Sequence, residues 1–371
     1  MSPAPIRVAH VMGKMLGGGV EAVVMNYYRN IDRSRVQFDF LVDSDSTLVP
    51  RGEIEALGGR VFEVPPYQHV AAYQRELRRL FSEQRWRIVH SHLNALSVFP
   101  LRAAAAEGVP VRIAHSHSTS GKGELAKNAA KALLRTQANR YPTRRLACSR
   151  YAGEWLFGRG GEYEVVYNAI DLSRFAFDAE ARAAARADLG LVGGQFVIGH
   201  VGRFMAQKNH EFLLEAFALV AERRADAVLA LAGDGERRPL VERWAAERGL
   251  ADRVLLLGQV EDSAKVYQAF DAFALPSLYE GLGLVGVEAQ RAGLPCVLSD
   301  RITREVDVTG TVKFLPIDDP QAWADALCAI EPDEAVRDLG EGPECFADYD
   351  ITLAAPKLAD LYERMLKGAK N

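Results

Sequence analysis

Four cysteines in 371 residues, Cys148, Cys296, Cys328 and Cys345, are too scattered for a metal or redox spacing. Their scarcity excludes a disulfide-stapled scaffold and fits reduced, mostly buried thiols of a cytosolic protein. No run of about 18 apolar residues occurs, so no membrane-spanning helix is expected. Met1-Ser2-Pro3-Ala4-Pro5 leads into no long apolar stretch, so no secretory signal is expected. There is no G-x-x-x-x-G-K-[ST] phosphate loop and no low-complexity segment.

What is present is the composition of a globular protein, 49% hydrophobic and 25% charged. The length exceeds one ordinary core and implies about two domains. Charge is divided unevenly. Residues 1–172 hold 23 Lys+Arg and 16 Asp+Glu, whereas the remainder holds 22 and 33. Two halves with different tasks follow from that asymmetry.

Strand-like runs alternate with helical patterns throughout, which argues for an α/β protein with parallel sheets. "IRVAHVM", "FDFLVD", "GGRVFEVP", "WRIVHSH", "VPVRIAHSH", "RRLACSR" and "EYEVVYNAI" read as strands of the first half. The pattern restarts at "QFVIGHVGRF" and continues through "AVLALAGDG", "RVLLLGQV", "AFALPS" and "LPCVLSD". Two Rossmann-like halves are expected, with their boundary in 170–195. The assignment is 1–172 for an acceptor-side domain, 173–350 for a donor domain, and 351–371 for a helix crossing back to the first domain.

Several motifs mislead. "GLGLVG" (Gly281, Gly283, Gly286), with Asp300 beyond it, matches a dinucleotide fingerprint but stands late in its half, away from the first strand-to-helix turn. "DSD" (Asp43, Asp45) has the D-x-D form of metal-dependent sugar transferases and reads as a solvated turn. "KMLGGGVEA" places Gly17, Gly18 and Gly19 between a strand and a helix, a common way to hold phosphate.

A stronger constellation lies in the second half. "VGRFMAQKN" puts Arg203 and Lys208 just after a strand, where open α/β sheets bind ligands and two cations suit a diphosphate. "YEGLGLVGVEAQ" sets Glu280 in a loop and Glu288 about one and a half turns into a helix. Gly281 and Gly283 allow close backbone approach, and a helix N-terminus favours anions. The apolar flanks of Glu288 imply a buried carboxylate with partners, such as ribose hydroxyls.

E-x7-E within "EGLGLVGVE", with "VGRF…QKN" and "NAIDLSRF", resembles family 4 glycosyltransferases of the GT-B fold. "HVMGKMLGGGVEAVVMNYYRNID" and "AHSHST" are most similar to its capsular and exopolysaccharide branch. The resemblance implies two Rossmann-like domains facing across a cleft and a retaining, metal-independent sugar transfer. The donor would be a nucleotide sugar, UDP- or GDP-linked with UDP favoured, and the acceptor a saccharide or lipid-linked saccharide. No metal, organic cofactor or nucleic-acid partner is implied. Arg203 and Lys208 would bind the diphosphate and stabilise the leaving nucleotide, and Glu288 would hold the ribose. Glu280 would contact the transferred sugar. Gly281, Gly283, Leu284 and Val285 would offer backbone to the donor, backbone near Val260 would grip the base, and the loop Gly17–Gly19 would touch the donor from the other domain.

One histidine is implied beside the transferred sugar, and two neighbours compete for the place. The H-S-H triplets His90/His92 and His115/His117 each put two imidazoles on one strand face. His117 is preferred as catalytic, with His92, His115 and Asn168 on the acceptor side. A metal at these triplets would need further ligands. Residues 122–145 carry seven Lys/Arg against Glu124, which suits peripheral docking on an anionic membrane from the cytoplasm. The alternatives are a sugar-nucleotide epimerase of similar fold and a non-catalytic nucleotide-sugar-binding module.

Overall fold

Runs such as Val36–Asp43 and Phe196–Val201 are buried along their whole length. That is the signature of parallel strands covered by helices on both faces. The computed structural model describes residues 4–117, 134–340 and 343–369. It divides into two compact units, Met1–Ile170 with Asp348–Asn371, and Asp171–Ala347.

The first unit is built on a seven-stranded parallel sheet ordered β3-β2-β1-β4-β5-β6-β7. Its strands are β1 (Ile6–Gly13), β2 (Val36–Asp43), β3 (Arg60–Val64), β4 (Ile88–Ser91), β5 (Val111–Ser116), β6 (Arg144–Ala147) and β7 (Glu164–Val165). The apolar run over 162–170 pairs as a strand over only two residues, at the sheet edge. Its continuation lines the interior with Val166 and Asn168. The last helix, Ile351–Gly368, is capped by Asp350 and buries Leu358, Ala359, Leu361 and Tyr362 within this unit.

The second unit has a six-stranded parallel sheet ordered β10-β9-β8-β11-β12-β13. These are β8 (Phe196–Val201), β9 (Ala227–Ala232), β10 (Val254–Gly258), β11 (Ala272–Leu275), β12 (Cys296–Ser299) and β13 (Lys313–Leu315). Strand order reverses between β8 and β11, which creates a crevice beyond their carboxyl ends. The stretch read as a boundary contains a helix, Ala179–Asp188, docked on this unit. Its Arg182 reaches Asp271 at 2.6 Å, with both side chains under 10% exposed. Cys148 and Cys296 are buried, Cys328 is partly buried and Cys345 is exposed, so the thiols are less uniformly internal than expected.

Candidate functional site

The loops after β8 and β11 flank the reversal point of the second sheet. Chain direction alone therefore brings residues 202–209 and 276–283 together. Leu278 N–H donates to the Gln207 carbonyl at 2.8 Å, and Gln207 Nε2 donates to the Tyr279 carbonyl at 2.8 Å. Lys208 Nζ meets Glu280 Oε1 at 2.7 Å, and Gln207 Nε2 lies 3.1 Å from Glu280 Oε2. Lys208 and Glu280 are 12% and 11% exposed, so the pair is largely withdrawn from water. Arg203 is exposed and makes no ion pair with any described residue.

Gly202 makes this arrangement possible. A Cβ there would stand 2.8 Å from Lys208 Cε, so the lysine stem runs directly over its α carbon. The loop is stitched to its neighbour by Gly202 N–H to the Ala232 carbonyl and Phe204 N–H to the Asp234 carbonyl, both 2.9 Å.

Gly283 adopts φ +89° and caps helix Leu284–Arg291 without a side-chain hydrogen bond, and no acid stands in the first turn. The helix start thus offers amides and partial positive charge. Leu284 and Val285 are partly buried there, Gly281 is buried, and Val260 is partly buried in the loop after β10. Glu288 is partly buried, and its Oε2 accepts the Tyr267 hydroxyl at 2.7 Å. Burial raises its carboxyl above the ordinary range, while the Tyr267 hydrogen bond and the charges of Lys208 and Arg174 oppose that rise.

The other glycine loop is different. In the first unit Glu21 folds back so that its carboxylate accepts from Leu16 N–H at 3.0 Å and Gly18 N–H at 2.7 Å. The Gly18 amide, expected to meet the donor, is thus occupied by the chain's own carboxylate, as is the neighbouring Leu16 amide. Gly17 has φ +76°, and the Cα of Gly19 faces open space. The D-x-D reading also needs correction. Asp43 is 3% exposed rather than solvated, and burial lifts its carboxyl to about 6, with Asp45 adding to the rise. Asp45 instead pairs with Lys14 at 2.7 Å.

The histidines come together more completely than the sequence suggested. His10 of β1, His90 of β4, His115 of β5, and His92 and His117 directly after β4 and β5 stack within the first unit. His10 and Tyr362 went unrecognised in the sequence. The clue for His10 was available, because β1 and β4 pair in parallel with His10 opposite His90. His92, His115 and His117 are 5%, 4% and 6% exposed, so these expected acceptor-side groups form an internal wall. Asn168 joins them in lining a cavity with room for about one water.

Two sets, His10/His90/His92 and His92/His115/His117, hold ligand nitrogens within 4.8 Å of one another. The observed spacings are those of hydrogen bonds. His10 Nδ1 to His92 Nε2 is 2.9 Å, His92 Nδ1 to His117 Nε2 is 2.8 Å, and His90 Nε2 to His115 Nδ1 is 3.0 Å. Nitrogens on a tetrahedral zinc, at about 2.0–2.1 Å from the metal, stand roughly 3.3 Å apart. The His10 and His92 ring planes differ by 9°, and those of His90 and His115 by 8°. Coplanar rings at these distances are joined by N–H···N hydrogen bonds. Residues 122–133 of the basic segment lie outside the described residues.

Comparison with known proteins gives a consistent result. Residues 18–169 match the family described as "Glycosyl transferase 4-like domain", and residues 195–333 match "Glycosyl transferases group 1". EpsF of Bacillus subtilis (strain 168), a protein named as a glycosyltransferase, is 40% identical over 338 residues, 88% of each chain. The UDP-Gal:alpha-D-GlcNAc-diphosphoundecaprenol alpha-1,3-galactosyltransferase of Escherichia coli is 25% identical over 97% of each chain. Among solved structures, Anabaena HepE in complex with UDP and glucose superposes with a TM-score of 0.81 at 18% identity, covering 96% of this chain and 99% of that one. WaaG, a glycosyltransferase involved in lipopolysaccharide biosynthesis, gives 0.70 at 16%, covering 98% of each. The fold is GT-B.

Proposed function

Because the chain belongs to glycosyltransferase family 4, we propose that its second unit binds a UDP-sugar and that the enzyme transfers the sugar with retention, without a metal, to a saccharide or lipid-linked saccharide. The observation that carries this reading is the Lys208–Glu280 pair beside the uncapped start of helix Leu284–Arg291. Exposed Arg203 and the largely buried Lys208 supply positive charge where a divalent ion would otherwise neutralise the diphosphate. The amides of Leu284 and Val285 meet the donor phosphate and sugar. Glu288, oriented by Tyr267, accepts from ribose hydroxyls, and backbone near Val260 borders the base. Glu280 accepts hydroxyls of the transferred sugar and keeps the Lys208 ammonium in place until the diphosphate engages it.

In the transfer, the bond from the anomeric carbon to the diphosphate breaks as the acceptor oxygen bonds to the same face. The acceptor proton passes to the departing phosphate oxygen. Arg203, Lys208 and the helix N-terminus stabilise charge on that phosphate. On the first unit, the carboxyl end of β5 contributes His117.

The lipid-linked acceptor is suggested by the diphosphoundecaprenol named for the Escherichia coli relative. A role in exopolysaccharide or capsule assembly is suggested by the similarity to EpsF. Residues 122–145 would then dock on anionic lipid from the cytoplasmic side. Salt-sensitive sedimentation with anionic liposomes is expected, and its absence would remove this part of the proposal. No helix among the described residues is long and apolar enough to cross a membrane.

The decisive experiment incubates the protein, in EDTA, with UDP-sugars in the presence and absence of acceptor. Product formation that depends on acceptor and keeps the donor's anomeric configuration is expected. An altered sugar formed from donor alone would establish the epimerase alternative, and binding without product the non-catalytic one.

A further inference from the structure

The five stacked imidazoles form two hydrogen-bonded chains. One runs His10–His92–His117, and the other runs Tyr362–His90–His115, with Tyr362 Oη 2.8 Å from His90 Nδ1. Both are buried, so each proton must be accounted for. A neutral imidazole has one N–H and one lone pair. His10 Nε2 and His115 Nε2 are buried and meet no partner. Leaving a lone pair unmet costs less than stranding an N–H, so both nitrogens are bare.

That choice fixes the first chain. His10 must carry its proton on Nδ1 and donate to His92 Nε2. His92 must then carry its own proton on Nδ1 and donate to His117 Nε2. His117 is left as the Nδ1–H tautomer. Its Nδ1 and the Asn168 Oδ1 are both buried without a hydrogen-bond partner, and the two residues line the same small cavity. An Nδ1–H on His117 shares that cavity with an unmet amide oxygen that can accept it, so this end of the chain is the better place for the proton. The main-chain N–H of His117 is held independently by Asn94 Oδ1 at 2.7 Å.

We propose that His10 and His92 are positioning residues that lock His117 in the Nδ1–H tautomer, fixing its ring against Asn168 for sugar transfer. The catalytic part rests on the reading of His117 given under Proposed function, whereas the lock stands on the two N···N contacts and on the cavity that His117 shares with Asn168. Burial lowers His10 to about 3 and His117 to about 4, so the chain stays uncharged at neutral pH and its polarity is set by tautomers.

Two-bond 1H–15N NMR of histidine-labelled full-length protein reads each tautomer directly. His10, His92 and His117 are expected as single Nδ1–H forms. His117 found as Nε2–H or as an imidazolium, or stoichiometric zinc on these nitrogens, would overturn the lock without any variant. His10→Phe removes the first donor and is expected to give a tautomer mixture at His117. It should lower kcat about tenfold, equivalent to about 1.4 kcal/mol, at unchanged donor KM. His10→Asn places an amide N–H where Nδ1–H stood and should restore both. Unchanged His117 signals in folded His10→Phe would refute the lock. Full turnover by His117→Ala would refute the catalytic reading alone and leave the NMR result standing.

Discussion

Replacing Lys208 by alanine separates what the ion pair does for the fold from what the ammonium does for the reaction. In the structure the ammonium meets Glu280 at 2.7 Å, with both side chains near 12% exposure. Breaking a fully buried pair costs about 3–5 kcal/mol because a charge is stranded. Here Gln207 still donates to the other carboxylate oxygen and some water reaches the site. A loss of about 1–3 kcal/mol is therefore expected, and at about 2–4 °C per kcal/mol it should be visible as a lowered melting temperature. Transition-state loss should be larger. Removing one preorganised donor to developing negative charge typically costs 10²–10³ in kcat, about 2.7–4 kcal/mol. Glu280→Ala removes the same pair, and the double variant leaves no stranded charge. Thermal melts and steady-state kinetics on all three complete a double-mutant cycle. Stability should recover in the double variant, while turnover should remain at or below that of either single variant. Recovery of turnover together with stability would mean that the pair is only a structural clasp, and the mechanism above would fall.

Four further outcomes follow from the geometry. Gly202→Val should reproduce the kinetic loss of Lys208→Ala while leaving β8 folded, since its Cβ would occupy the space of the lysine stem; circular dichroism and kcat check this. Gly18→Val, at φ −93° and without a clash, should lower turnover more than donor affinity by calorimetry, and equal losses would count against the loop in transfer. Asp43→Asn should stabilise the protein in alkali. The Asp43 carboxyl stands at about 6 against an ordinary 3.8, so its contribution is present below 3.8 and lost as pH rises through about 6. The variant should gain up to about 3 kcal/mol at pH 8 and nothing below pH 4, as read by denaturant melts. The histidine stack has the opposite sign. His10, at about 3, and His117, at about 4, lie below the ordinary 6.5, so their contribution is present above 6.5 and lost on acidification. Stability should fall by about 1.4 kcal/mol per pH unit for each histidine denied its proton.

Legibility in the sequence followed the kind of force holding each element. Helix Val70–Gln84 is encoded locally, because its buried Tyr73, Leu77, Leu80 and Phe81 recur at helical spacing. Helix Ala179–Asp188 falls in the stretch expected to hold the domain boundary and has no local signature, because its buried anchor is Arg182, tied by charge to Asp271, and no apolar stripe marks it. The site loops were legible because strand ends and glycines place them. The pairing of Lys208 with Glu280, residues 72 apart in the chain, depends on sheet order that no local pattern encodes. Nor does spacing reveal that Glu21 fills one glycine loop while the start of helix Leu284–Arg291 has no side-chain cap.

The last helix also has a consequence for biosynthesis. Tyr362 belongs to the first unit, yet the whole of residues 171–347 is translated before it. At about 5–20 residues per second, the 272 residues separating the pair keep His90 waiting roughly 14–54 s on the ribosome for its phenolic partner. During that interval helix Gly19–Asn30 lacks its packing neighbour, and a nascent first sheet exposes the polar core that the finished molecule conceals. The second unit meets no such delay, so the chain matures from its middle outward rather than from its amino end.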